Sequence, residues 1–247
     1  MVTWNDIKIA DEGFLINLKD REDRLLQSLD EFEKNNINGV ERFDAIKITE
    51  DSDSGWVIRG CTHSHMEILK MQVENKWEKV IIFEDDFFLD VCDNRNRELN
   101  NEMISGIYPA DFDLLFLGAC LLEPAELVSE NLIKPNKFVQ ATAYLTTLKF
   151  AEYVTTNFNY LDKDLVVYGE QLDSYFSVLA VKDHWLMDNR TKGVKEIKEH
   201  DLKIYFHYPQ LFNQRPSYSN ILNRDTDYTA MNRFRNLKNF PTTYQLK

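Results

Sequence analysis

Val80-Ile81-Ile82-Phe83-Glu84-Asp85-Asp86, VIIFEDD, sets four apolar residues in a row and ends them on three carboxylates. A short apolar run with β-branched members reads as a buried strand of an α/β sheet. Ionised carboxylates at such a strand end lose hydration unless they are paired, hydrogen-bonded or bound to a cation. The carboxyl ends of strands in an open α/β sheet are also where ligands bind. The triplet is therefore either a solvated acidic turn or a site, and the surrounding residues choose between them.

Outward from this strand, apolar runs alternate with helical patterns. FLINL (Phe14 to Leu18) reads as a strand, followed by the polar string KDREDR and a helical pattern at Leu25, Leu26, Leu29, Phe32 and Ile37. Asp20 is the expected N-cap, and Asp23 suits the positive end of that helix. RFDAI (Arg42 to Ile46) is a second strand after the turn signal Asn38-Gly39. A helix is expected to start near Thr62, with Met66, Leu69, Val73 and Trp77 on its buried face, and to lead into VIIF. Further strands are expected at 113–117, 138–145 and 204–208, and helices at about 149–158 and 170–180. This alternation predicts a single-domain α/β fold, a mainly parallel sheet flanked by helices. No repeat or linker divides the 247 residues. Residues 1–222 form the expected domain and 223–247 a basic, aromatic arm or lid of the same domain.

Composition fits a folded protein, with 43% hydrophobic, 13% aromatic and 28% charged residues. The first residues carry no basic flank before an apolar core, and no segment reaches the ~20 apolar residues of a membrane span. Cys61, Cys92 and Cys120 have no paired spacing, which argues against a disulfide framework and a structural zinc site and predicts a cytoplasmic protein. The net charge of −12 disfavours general affinity for nucleic acids, but it is uneven: residues 190–247 carry 11 Lys or Arg against 5 Asp or Glu, a net of +6 against −18 over residues 1–189.

Three stretches carry candidate chemistry. Strand alternation puts Glu84 and Asp86 on one side and Asp85 on the other, and two carboxylates on one side suit a hard divalent cation completed by substrate phosphates. Asp85 is expected to be mainly structural. Arg21 and Arg24 follow a strand end at a helix start, a position that favours anions, although ordinary surface pairing with Asp20, Glu22 or Asp23 is the stronger explanation of this loop by itself. In GCTHSH (Gly60 to His65), Ser64 and His65 at a helix start could bind a diphosphate or order a loop. His63 and His65, two apart, diverge on a helix and do not make a metal pair.

In order along the chain, INLKDREDR (Ile16 to Arg24), ERFDAI (Glu41 to Ile46), GCTHSH, VIIFEDD, DLLFLGA (Asp113 to Ala119), ATAYL (Ala141 to Leu145), the acidic segment around Glu170 and Asp173, and Gln214 to Ile221 resemble glycosyltransferase family 25, the lipooligosaccharide and procollagen galactosyltransferase family. The resemblance covers about residues 13–221. It implies a GT-A fold and inverting transfer of a sugar from a nucleotide-sugar donor, commonly a UDP-sugar, to an acceptor hydroxyl. It further implies that Ile16, Asn17, Leu18 and Ala45 cradle the nucleotide, with Arg21, Arg24, Ser64, His65 and Glu84 near the donor. Glu84-x-Asp86 would stand in for the DxD motif and hold Mn2+ or Mg2+, with His207 as a third ligand. Asp173, with Glu170 second, would be the base, and Gln214, Ser219, Arg233 and Arg235 would meet the acceptor. The sequence departs from the family pattern in its extra His63, in EDDF for a strict DxD, and in length.

Arg224, Arg233, Arg235 and Lys238 alternate with Tyr228, Phe234 and Phe240, a pattern suited to phosphates and stacked bases. It raises a DNA acceptor carrying a hydroxymethylated base as an alternative to a glycan or hydroxylated residue. From other classes, a metal-dependent nuclease or phosphohydrolase and a non-catalytic sugar-nucleotide-binding module use the same carboxylates.

Overall fold

The computed structural model describes residues 1–48, 54–89, 111–123, 125–129, 132–158, 172–181, 198–207, 210–219 and 224–227. The strands are β1 (Val2–Trp4), β2 (Ile7–Ala10), β3 (Glu12–Asn17), β4 (Ile37–Asn38), β5 (Glu41–Asp44), β6 (Lys79–Glu84), β7 (Phe87–Leu89), β8 (Leu114–Leu121), β9 (Glu126–Ser129), β10 (Leu132–Lys134), β11 (Phe138–Thr147), β12 (Ile204–His207), β13 (Phe212–Gln214), β14 (Ser217–Ser219) and β15 (Arg224–Thr226). The helices are α1 (Glu22–Lys34), α2 (Ser54–Asn75), α3 (Leu148–Asn157) and α4 (Leu172–Val181).

An eight-stranded sheet of order β5-β3-β6-β11-β8-β12-β10-β9 carries the fold. β3 runs parallel to β5 and β6, and β12 runs parallel to β8. β11 lies antiparallel between β6 and β8, so β5, β3, β6, β8 and β12 all point the same way. The protein is thus an α/β domain on a mixed, mainly codirectional sheet with helices on its faces. Two apolar cores cover those faces. Phe14, Ile16, Val80, Ile82, Phe116 and Tyr144 pack with Met66, Phe150 and Phe176 of the helices, whereas Leu15, Ile81, Phe83 and Leu115 pack with Phe32, Phe87 and Phe212. This split follows from the two-residue period of a strand.

Three local expectations are corrected. Arg21, not Asp20, occupies the cap position of α1, without a side-chain cap bond, and Asp20 pairs with Lys47 instead. Ile37 leaves the helix and joins β4, which completes a three-stranded sheet with β1 and β2. α2 begins at Ser54, so GCTHSH lies inside a 22-residue helix, away from the unsatisfied amides of its first turn.

Glycines set two close approaches. A side chain on Gly118 of β8 would put its Cβ 2.6 Å from the Phe212 carbonyl oxygen, so Gly118 lets β13 lie against the sheet. One on Gly60 would meet the Ile46 oxygen at 2.4 Å. The same loop is tied by Ser64, whose Oγ accepts from the Ile46 N–H at 2.8 Å and donates to the Gly60 carbonyl at 2.7 Å.

Candidate functional site

β5, β3, β6, β8 and β12 point one way, so their carboxyl ends meet at one edge. Asn17 ends β3, Asp44 ends β5, Glu84 ends β6 and His207 ends β12. β11 starts at this edge too, and its register with β8 is interrupted between Val139 and Ala143. Gln140, in that interruption, has φ +71°, a left-handed conformation that a bulge imposes on a non-glycine residue.

Glu84 shares the parity of Val80 and Ile82 and faces α2. Its Oε1 lies 3.3 Å from His65 Nε2 and 3.8 Å from Cys61 Sγ. His65 is buried, and its Nδ1 lies 2.6 Å from the Tyr144 hydroxyl. Burial holds that phenol protonated, with its pKa well above the usual tyrosine value. A carboxylate only accepts, so Nε2–H faces Glu84 and, in the neutral ring, Nδ1 accepts from the Tyr144 O–H. Burial also pushes the Cys61 thiol well up, helped by the charges of Glu84, Asp173 and Asp86.

Asp85 points the other way, towards α1. Its Oδ1 accepts from Arg24 at 2.8 Å and its Oδ2 from Asn17 Nδ2 at 2.8 Å, while its carbonyl accepts from Ser28 Oγ at 3.0 Å. Asn17 Nδ2 also donates to the Arg21 carbonyl, and its Oδ1 accepts from Arg42. Strand alternation stops at Glu84, because Asp85 and Asp86 form a turn. This corrects the expected side of Asp86: it shares Arg24 with Asp85 at 3.3 Å and accepts from Gln214 Nε2 at 2.7 Å. The Asp86 carbonyl accepts from the Arg215 N–H. Its Oδ1 is buried and has no hydrogen-bond partner among the described residues, and Gln214 Oε1 is in the same condition. Burial and then the charge of Glu84 raise the Asp86 carboxyl to about 7, against the opposing pull of Arg24.

Asp173, in the first turn of α4, accepts the Gln140 N–H on Oδ2 and the Ser174 N–H on Oδ1, both at 2.7 Å. Burial raises its pKa, these two N–H groups lower it, and the charge of Glu84 raises it further. Cys61, His65, Glu84, Asp86 and Asp173 therefore form one electrostatic neighbourhood.

Other expected site residues fall around this centre. Ile16 is core, and Asn17 and Ala45 join their loops through the Ala45 N–H to the Asn17 carbonyl at 3.0 Å. Leu18 is half-buried beside them. Arg21 is forked onto Asp23 through Nε and a terminal nitrogen, each at 2.9 Å, which holds the Asp23 carboxyl down at about 2. Arg24 joins Asp85 and Asp86 to the Tyr218 carbonyl, and so fastens the 214–218 segment to the acidic turn. Ser64 orders the loop after β5. His207 is buried on β12, three strand spacings, about 14 Å, from the β6 backbone. It is not among the side chains whose ligand atoms converge with Glu84. Ser219 stands on β14, paired with Arg224. Glu170, Arg233 and Arg235 lie outside the described residues, as does the arm beyond Asp227.

Sequence reading missed Cys61 and Tyr144. Cys61 and His65 are four apart, the spacing that puts two side chains on one helix face. A helix started at Thr62 hides that spacing, and one started at Ser54 exposes it. The residues fit a divalent cation: an acidic centre holds one buried carboxylate oxygen without a partner among the described residues, and the Cys61, His65 and Glu84 ligand atoms lie within 4.8 Å of one another. No described helix is long and apolar enough to cross a membrane.

No protein-family model and no curated protein sequence matches the chain. Among solved structures, it is similar to a glycosyltransferase involved in the glycosylation of the major capsid of PBCV-1, at 10% identity and TM-score 0.44, over 84% of this chain and 93% of that one. It is also similar to A197 from STIV, at 10% identity and TM-score 0.36, over 83% and 94% of the two chains. A third likeness is to apo UDP-glucose pyrophosphorylase, at 9% identity and TM-score 0.40, over 83% and 74%. At these TM-scores the likenesses carry no weight for chemistry.

Proposed function

We propose that the chain is a GT-A-type glycosyltransferase related to family 25, moving a sugar from a UDP-sugar to an acceptor hydroxyl with inversion and with the help of a divalent cation. The observation that carries this reading is the acidic mouth of the sheet. Glu84 ends a buried strand at the ligand-binding edge and Asp86 lies in the turn after it, Asp86 Oδ1 has no hydrogen-bond partner among the described residues, and Asp173 stands in the same neighbourhood.

In this reading Glu84 holds the cation and Asp86 adds negative charge from the turn beside it, and the cation when bound supplies positive charge against the departing diphosphate. Asn17 and Ala45 shape the nucleotide side of the mouth. Asp173 takes the acceptor hydroxyl proton as the new bond forms at the sugar. Its two backbone donors fix the carboxylate, and burial favours its protonated product. Gln214, bound to Asp86, places the acceptor-side segment against the cation-binding turn.

The test is thermal denaturation with UDP-sugars, with and without Mn2+. Ligand at 100 times its Kd stabilises by about 2.7 kcal/mol, which corresponds to a Tm rise of roughly 5–10 °C in a chain of this size. Asp173→Asn should keep that shift and lower transfer by about 10²–10⁴-fold. Absence of any shift, with Asp86→Ala indistinguishable from wild type, overturns the reading.

A further inference from the structure

The carboxylates of the mouth suggest a hard cation such as Mg2+, but the ligand atoms that converge beside them are of another kind. Cys61 and His65 lie one turn apart on α2 and meet Glu84 at the end of β6. A tetrahedral centre with bonds of about 2.0–2.3 Å sets its ligand atoms roughly 3.3–3.6 Å apart. Glu84 Oε1 stands 3.3 Å from His65 Nε2 and 3.8 Å from Cys61 Sγ, two separations close to that spacing, and all three ligand atoms lie within 4.8 Å of one another.

We propose that Cys61, His65 and Glu84 form a three-ligand site for a borderline divalent cation of the zinc or cobalt class, with a fourth position open to water or a substrate oxygen. Sulfur and imidazole ligands select such cations, whereas Mg2+ takes oxygen. Three protein ligands and one open position is the arrangement of a reactive site and not of a closed structural one. Tyr144 supplies the outer contact that orients a metal-binding histidine. On loading, the ring proton passes from Nε2 to Nδ1, which then donates to the Tyr144 oxygen, and Cys61 releases its thiol proton to solvent. The charge balance favours this, because Glu84, Asp86 and Asp173 surround the thiol with negative charge that a cation offsets.

The inference rests on the proposed transfer reaction only for its catalytic meaning, since it names the cation that the mouth prefers. The test is titration of the chelator-treated full chain with Co2+, followed by absorption and by calorimetry. The expected result is a stoichiometric site with a near-ultraviolet thiolate-to-cobalt band, displaced by Zn2+ and untouched by millimolar Mg2+. Cys61→Ser should abolish the band and weaken Co2+ binding by about 10–100-fold or more, while its metal-free Tm stays at the wild-type value. The variant His65→Gln serves as a second removal of one ligand, with the same expected loss of affinity. Co2+ binding without the band, or unchanged in Cys61→Ser, overturns this inference and leaves an oxygen-only cation site consistent with the proposed function. No Co2+, Zn2+ or Mn2+ binding at all overturns both.

Discussion

Glu84 and Asp85 are neighbours in the chain and opposites in the structure. Glu84 faces α2, and both its side-chain contacts use Oε1, one to an imidazole and one to a thiol. Asp85 faces α1, and each of its oxygens is taken, by a guanidinium and a carboxamide that are themselves fixed elsewhere. A carboxylate whose lone pairs are already met by rigid donors contributes to architecture. One that meets groups also able to bind a cation keeps its capacity for a ligand. The difference separates a fastening side of the acidic turn from a chemical side.

The largest effect should come from breaking the fastening side. The Arg24 and Asp85 side chains are 12% and 10% exposed, so removing one partner strands the other in a poorly hydrated place. Breaking a buried pair costs about 3–5 kcal/mol in general. Arg24 keeps Asp86 and the Tyr218 carbonyl, which puts Asp85→Ala near the lower end, about 3 kcal/mol by urea denaturation. Glu84→Gln should stay within about 1 kcal/mol of wild type, since an amide oxygen still accepts from His65. Equal losses at the two positions would erase the distinction.

Asp86 sits between the sides, and pH should reveal it. Its folded carboxyl is raised to about 7, mainly by burial, from an ordinary 3.8. Between those values the folded state binds the proton more tightly than the unfolded chain does, so stability falls as pH rises from about 4 to about 7 and then levels. Asp86→Asn removes this loss. In chelator-treated protein the variant should match wild type at pH 3.5 and melt several degrees higher at pH 8. A Tm difference that is constant across this range would show that the Asp86 carboxyl is not raised in the fold.

The scaffold was readable because its signals are local. VIIF, FLINL and DLLFL are dense apolar runs, and each became a strand of the central sheet. Strand direction left no such mark, and nothing in Phe138–Thr147 announces that it runs antiparallel between β6 and β8. The candidate site was half legible. The acidic triplet and Asp173 stand out by charge, but the groups that divide their roles are distant in sequence. Gln214 reaches Asp86 across 128 positions and Tyr144 reaches His65 across 79, and no periodicity encodes either meeting. The start of α2 was hidden for a different reason. SGWVIRG carries two glycines and no capping pattern, so propensity does not mark the helix start, and the close approach of Gly60 to the Ile46 carbonyl is a tertiary contact that no local pattern encodes.

The smallest effect tests whether the chemical side acts as a chain. Tyr144 donates to His65, and His65 donates to Glu84 through its other nitrogen. Tyr144→Phe keeps the ring, which is buried against Phe116 and Phe176, and deletes one hydrogen bond, a loss of about 1 kcal/mol. If the ring proton is placed by Tyr144, removing the hydroxyl also loosens the hold on Glu84, so Tyr144→Phe and Glu84→Gln should be non-additive by about 0.5 kcal/mol or more. Asp85 belongs to the α1 side and shares none of these bonds. The double variant Tyr144→Phe with Asp85→Asn should then be additive within about 0.3–0.5 kcal/mol. Coupling of Tyr144 to Asp85 as strong as its coupling to Glu84 would mean that the acidic turn responds as one unit and that its two sides are not separate devices.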